Sequence, residues 1–152
     1  MRVKDVMSSK LYYCLPTDTA QSAAKMMKLH GVGALPVVSD SANRTLEGIV
    51  TDRDLCCEVV ASAKLAAMIK ISDVMTRNPI VCGTEDTIDE CERLMQKHQI
   101  RRLPITDKQG RCIGMIAQAD AALHSSAAKT AKMLAGISKP AKEHRRVHAA
   151  VA

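Results

Sequence analysis

Apolar positions along the 152-residue chain fall into helical and strand spacings that alternate twice. Ala20, Ala23, Ala24 and Met27 form one helical stripe. Asp18, with Gln21 three residues on, predicts the N-cap of a helix reaching about His30, and Gly31 predicts its stop. Asp86 predicts the cap of a second such helix, whose stripe is Ile88, Cys91, Leu94 and Met95. A short strand beginning near a proline follows each helix, "LPVV" at 35–38 and "LPIT" at 103–106. A polar turn then leads to a second apolar strand, 46–51 or 111–117, and to a closing helix over about 52–68 or 118–135.

The two rounds are one repeat. "KDVMSSKLYYCLPTDT" at 4–19 matches "SDVMTRNPIVCGTEDT" at 72–87 with a shift of 68 residues. Asp5, Val6, Met7 and Cys14 return as Asp73, Val74, Met75 and Cys82. The shift holds through His30/His98 and the proline strands. It then drops to 66, because "SDSANRTLEG" is two residues longer than "DKQGRCIG". A length change confined to a turn is what a duplicated structural unit permits. The repeating unit reads strand–helix–strand–strand–helix, and one unit alone leaves a sheet face uncovered. The expected fold is therefore α+β (mixed α/β), with two pseudo-symmetric β-α-β-β-α repeats packed sheet to sheet. Repeat one is expected over 1–70, repeat two over 71–136, and a basic, flexible tail over 137–152.

Composition narrows the chemistry. There is no Trp or Phe, and Tyr12 and Tyr13 are the only aromatic residues, so aliphatic side chains and Met, including Met26, Met27 and Met95, must build the core. No apolar run approaches the roughly 18–20 residues of a membrane span, and "MRVKDVMSSK" lacks a signal-peptide apolar stretch, so a cytoplasmic protein is expected. Cysteines 14, 56, 57, 82, 91 and 112 contain no C-x-x-C pair and lie in apolar segments, which predicts buried, reduced packing thiols. Beyond Ala121 lie six of the 22 basic residues but one of the 16 acidic ones. The excess charge belongs to the tail, and nucleic-acid binding by the body is disfavoured. Nor does the sequence carry a phosphate-binding G-x-x-x-x-G-K-S/T loop or a justifiable Ser–His–Asp or Cys–His arrangement, and no enzyme activity is expected. His30 and His98 fit helix C-termini, and His144 and His148 share an i, i+4 spacing on the tail; neither pair is read as a metal site.

"GIVTDRDL" at 48–55 is echoed by "GMIAQADA" at 114–121, with Ala117 where Thr51 stood. Thr51 and Asp54 have the spacing of a capping box. The same spacing at a strand–helix junction would offer free amides to a phosphate, and the carboxylate could accept from two ribose hydroxyls. In the second repeat, "IRRLP" at 100–104 supplies Arg101 and Arg102, where the first repeat has Gly33 and Ala34. A guanidinium fork suits phosphate.

Paired "DVM" entries, the "LPVV" strand and the "GIVTDRD" ending resemble a tandem pair of cystathionine-β-synthase (CBS) domains, a stand-alone Bateman-type module, over residues 3 to about 124. The resemblance implies a non-enzymatic regulatory sensor that binds adenosyl nucleotides (AMP, ADP, ATP, NAD or S-adenosylmethionine) between the repeats and signals by changing shape. AMP or ATP is the favoured ligand, with no catalytic cofactor. A homodimer and an unidentified effector protein are the implied partners, with no membrane. It also implies a main site of Thr51, Asp54, Arg101, Ile49, Thr76, Val81 and Ile100. A second site of Asp120, Arg102, Ser8 and Tyr13 is expected to be weaker, because Ala117 replaces the threonine. The alternative is a ligand-independent dimerisation or interaction scaffold.

Overall fold

A computed structural model describes residues 1–139. Helices α1 (Ala20–His30) and α3 (Ile88–His98) occupy equivalent places in the two halves. Their caps lie one residue beyond the expected aspartates. Thr19 accepts from the Ser22 amide at 3.1 Å, and Thr87 accepts from the Glu90 amide at 3.3 Å. Asp18 and Asp86 instead hold the preceding turn, each accepting at 2.8 Å from the backbone N–H three residues earlier, Leu15 and Gly83. Two acceptors in succession could each cap, and the turn claims the first. The Thr87 amide and hydroxyl also donate to Glu90 and hold its carboxyl below its ordinary range. Both helices stop in a left-handed residue, Gly31 at φ 64° and Gln99 at φ 53°.

Strands β1 (Ala34–Val38), β2 (Leu46–Thr51) and β3 (Thr76–Arg77) form one antiparallel sheet. β4 (Cys82–Gly83), β5 (Arg102–Thr106) and β6 (Cys112–Ala117) form the other, with β4 parallel to β5. β3 comes from the second repeat yet pairs with β2 of the first. Correspondingly, Ser8 bridges to Met115 of the second sheet, while Cys14 bridges to Val37 of the first. Each repeat's leading segment thus starts on the other repeat's sheet and crosses back to its own. The 3₁₀ turns before these segments are exchanged as well. Val3 is buried against Cys82, Met95, Leu103 and Ile116, whereas Ile71 and Val74 are buried with Ala23, Leu35 and Val50. Packing units therefore do not follow the repeat boundary expected at 70/71.

Each core lies between one sheet and its helices, and each fully buried aliphatic side chain contributes about 1.5–3 kcal/mol. All five residues of β1 are buried, so both faces of this strand are covered. The halves are also joined through backbone: Leu46 N–H donates to the Gly110 carbonyl at 3.1 Å, and Cys112 N–H to the Arg44 carbonyl at 2.9 Å.

Both closing helices depart from the expected lengths. α2 (Asp52–Leu55) continues as a π-helical turn over Cys56–Val60 and ends there, not at 68. Helix-favouring "ASAKLAA" gives way because the carbonyls of Ala66 and Ile69 accept the Gln21 and Ala20 amides at 3.1 and 2.8 Å, satisfying the open N-terminus of α1. The second closing helix is two, α4 (Gln118–His124) and α5 (Ala127–Ile137), broken at extended Ser125. Ser126 caps α5, which turns back onto α3 and buries Met133 and Ile137. Ser125 Oγ donates to Glu92, one of two buried charged residues among those described. The tail is expected from residue 137, the last residue of α5, and its histidines 144 and 148 lie outside the described residues.

Burial accounts for four of the cysteines. It pushes the Cys14 thiol up to about 12 and Cys112 to about 11, and Cys91 is raised by donating to the Cys82 sulfur and by burial. Cys56 and Cys57 depart from expectation and are exposed, because the π turn directs Leu55 and Val59 inward.

Candidate functional site

The end of β2, the start of α2, β3 with the chain after it, and the turn between α3 and β5 enclose a cleft of about 600 Å³. It brings together Ile49, Thr51, Asp54, Thr76, Ile100 and Arg101. Arg53, Asn78, Gln99 and Arg102 line it too. Val81 does not line it; that place is taken by Ile80. A pseudo-equivalent cleft of about 270 Å³ collects Ser8, Lys10, Tyr12, Gly31–Ala34, Arg102, Ala117 and Asp120. Here Tyr12 stands where Tyr13 was expected. Tyr12 and Ile80 are repeat equivalents, so one register error accounts for both differences. In extended backbone, a slip of one residue moves a side chain to the opposite face.

Thr51 and Asp54 realise the capping box in full. Asp54 Oδ2 accepts from the Thr51 amide at 2.9 Å and from its hydroxyl at 2.8 Å, while the Asp54 amide donates to Thr51 Oγ1 at 3.1 Å. The Asp52 amide donates to the Gly33 carbonyl at 3.1 Å, and the Arg53 amide to Asp52 Oδ1 at 2.8 Å. The amides of 51–54 are thus all engaged, and the expected free amides for a phosphate are not there. Asp54 is nevertheless only 5% exposed while bordering the cleft. In the second half Asp120 Oδ2 still accepts from the Ala117 amide at 2.7 Å. An aspartate at this position closes its helix start with or without the threonine, so its presence in both repeats does not by itself mark a ligand group.

Positive charge comes from side chains instead. Arg53, Arg101 and Arg102 face the larger cleft, and none of the three guanidiniums has a hydrogen-bond or ion-pair partner among the described residues. Burying an anion there would satisfy donors that otherwise face solvent. Arg53 carried no signal in the sequence beyond its place inside the capping box. In the smaller cleft the Tyr12 ring stacks on His30, with centroids 3.7 Å apart and planes 13° apart. Among the described residues there is no group of three or more His, Cys, Asp or Glu able to hold a metal, and no helix long and apolar enough to cross a membrane.

The sequence pattern of the CBS domain matches residues 3–60 and again 71–126. The chain belongs to the CBS-domain family. It is a tandem CBS pair, and both clefts lie between its two domains. It is 41% identical over 122 residues to the uncharacterized protein YlbB of Bacillus subtilis, covering 80% of each chain. Among solved structures, the chain is similar to CBSX2 of Arabidopsis thaliana in complex with AMP (TM-score 0.70, 27% identity, covering 81% of this chain and 94% of that one). It is also similar to the CBS pair of MJ0100 in complex with 5'-methylthioadenosine and S-adenosyl-L-methionine (TM-score 0.73, 27% identity, covering 82% and 94%).

Proposed function

We propose that this CBS pair is a non-enzymatic sensor that binds a phosphate-bearing adenosyl nucleotide in the larger cleft and passes the binding on as a change of shape. The observation that carries the reading is the meeting of the Asp54 carboxylate, from one repeat, with Arg101 and Arg102 from the other and Arg53 beside them. Asp54 would receive the ribose hydroxyls, Ile49, Ile80 and Ile100 would cover the base, and the guanidiniums would take the phosphates. Three guanidiniums without a partner among the described residues suit AMP, ADP or ATP better than S-adenosylmethionine, whose sulfonium carries positive charge itself. Similarity to pairs crystallised with AMP and with adenosyl thioethers supports the ligand class.

A ligand that binds only the native state adds RT ln(1+[L]/Kd), about 2.7 kcal/mol at a hundredfold excess over Kd. Differential scanning fluorimetry with AMP, ADP, ATP, NAD and S-adenosylmethionine should therefore give a rise in Tm, largest for a phosphate-rich nucleotide. Arg101→Ala, which replaces an exposed side chain, should reduce that rise without lowering the Tm of the free protein. An equal response in the variant would remove Arg101 from the site, and no response to any compound would end the reading.

The partner proposed with it is a second copy. Leu29 and Leu123 are 78% and 81% exposed, and Val60, Leu65 and Met68 add further open apolar surface. A scaffold that dimerises without regard to nucleotide is the second reading favoured by these residues. Light scattering with and without ATP separates the two.

A further inference from the structure

Among the described residues Arg102 is the one long cation that lines both clefts, and we propose that it couples them antagonistically: a phosphate-bearing nucleotide in one cleft takes the guanidinium that the other needs. The inference rests on the nucleotide-binding reading above and adds to it a regulation between the two sites.

Arg102 opens β5 and pairs with Ala117 of β6, so its backbone lies at one end of the second sheet, while its side chain lines both clefts. Its pseudo-equivalent in the first repeat is Ala34, which lines only the smaller cleft and has no reach. From β5 the Arg102 side chain crosses to Gly33. A Cβ added to Gly33 would lie 3.1 Å from Arg102 Nη2 and 2.7 Å from Asp52 Oδ2. Gly33 thus leaves room for both the Arg102 guanidinium and the Asp52 carboxylate. Asp52 itself lines the larger cleft, so the contact at Gly33 stands between the two cavities. Arg102 is exposed and has no hydrogen-bond or ion-pair partner among the described residues, so it is not pinned to either side.

The two clefts do not depend on it equally. The larger one also has Arg53 and Arg101, whereas the smaller has Lys10, with Ala117 and Asp120 also in its lining. A phosphate in the larger cleft gathers all three guanidiniums, and among the described residues the smaller cleft is left with Lys10. Two phosphates drawn toward one guanidinium would also repel each other. Because coupling is reciprocal, filling the smaller cleft must weaken the larger by the same factor.

The test separates coupling from a simple difference between sites. ADP is titrated into the full chain while amide signals of Ala34 and Asn78 report the smaller and larger cleft by NMR. In Arg53→Ala/Arg101→Ala, where the larger cleft is weakened, ADP affinity at Ala34 should improve about tenfold over the wild type, the worth of one charge-assisted hydrogen bond. Adenosine, which has no phosphate, should show no such improvement. Adding Arg102→Ala should abolish it for ADP too. Unchanged or weaker ADP binding at Ala34 in the double variant overturns the coupling, as does an improvement that survives Arg102→Ala. Either result with ADP still bound at Asn78 in the wild type leaves the nucleotide reading standing. No ADP binding at either reporter of the wild type overturns both.

Discussion

Thr51 and Ala117 occupy the same place before the same kind of helix, and they show what one hydroxyl does there. Thr51 Oγ1 accepts from the Asp54 amide and donates to the Asp54 carboxylate, a pair of bonds that Ala117 cannot make. An N-cap threonine is worth about 1 kcal/mol over alanine. Ala117→Thr is therefore expected to stabilise the protein by about 1 kcal/mol, read as a higher urea midpoint at unchanged slope. A lower midpoint would mean that the added hydroxyl collides in the smaller cleft. At this scale the resemblance to CBS pairs named Asp54, Thr51, Ile100 and Arg101 together, and these four line one cleft. Ile80 and Tyr12 were missed by one position. Neighbouring residues in extended chain have nearly the same local sequence signal and opposite directions.

Among the elements, α3, α4 and α5 show how a helix boundary can be decided by what it must bury. The run from Gln118 to Ile137 contains no glycine before Gly136 and no proline, so local preference alone favours one long helix. A single straight helix would leave Met133 and Ile137 far from α3. The break at Ser125 and Ser126 turns them into the core. Ser125 also supplies the hydroxyl donor to buried Glu92. Removing a partner from a buried charged group costs about 1–3 kcal/mol or more. Ser125→Ala should accordingly destabilise by at least about 1 kcal/mol in urea unfolding, whereas Ser125→Ala combined with Glu92→Gln should recover part of the loss. Equal stability of Ser125→Ala and the wild type would show that water replaces the hydroxyl. The "SS" pair was the available signal for this break, an N-cap placed inside a helix-favouring run. The early end of α2 had no such signal, since its cause is the need of α1, earlier in the chain, for carbonyls at its N-terminus.

For the whole molecule the consequential feature is the exchange of leading segments. Val3 belongs to the second half's core and Ile71 to the first, and both are fully buried. Cutting the chain between the repeats would leave each piece without an edge segment and with an uncovered sheet face. Fragments 1–70 and 71–152 are each expected to lack cooperative unfolding when alone and to regain it when mixed, as followed by circular dichroism on heating. A fragment that unfolds cooperatively by itself would refute the dependence of each half on the other's leading segment. The sequence by itself determined the repeat, the alternation of helices and strands, and the residue types on either side of the larger cleft. These are written in local periodicity and in the match between two stretches of one chain. Only the tertiary structure decided that the leading segments swap, that the amides of 51–54 are already engaged, and that Arg102 stands between two clefts. Those outcomes depend on which distant groups compete for the same hydrogen bonds and the same buried space, and no local pattern carries that competition.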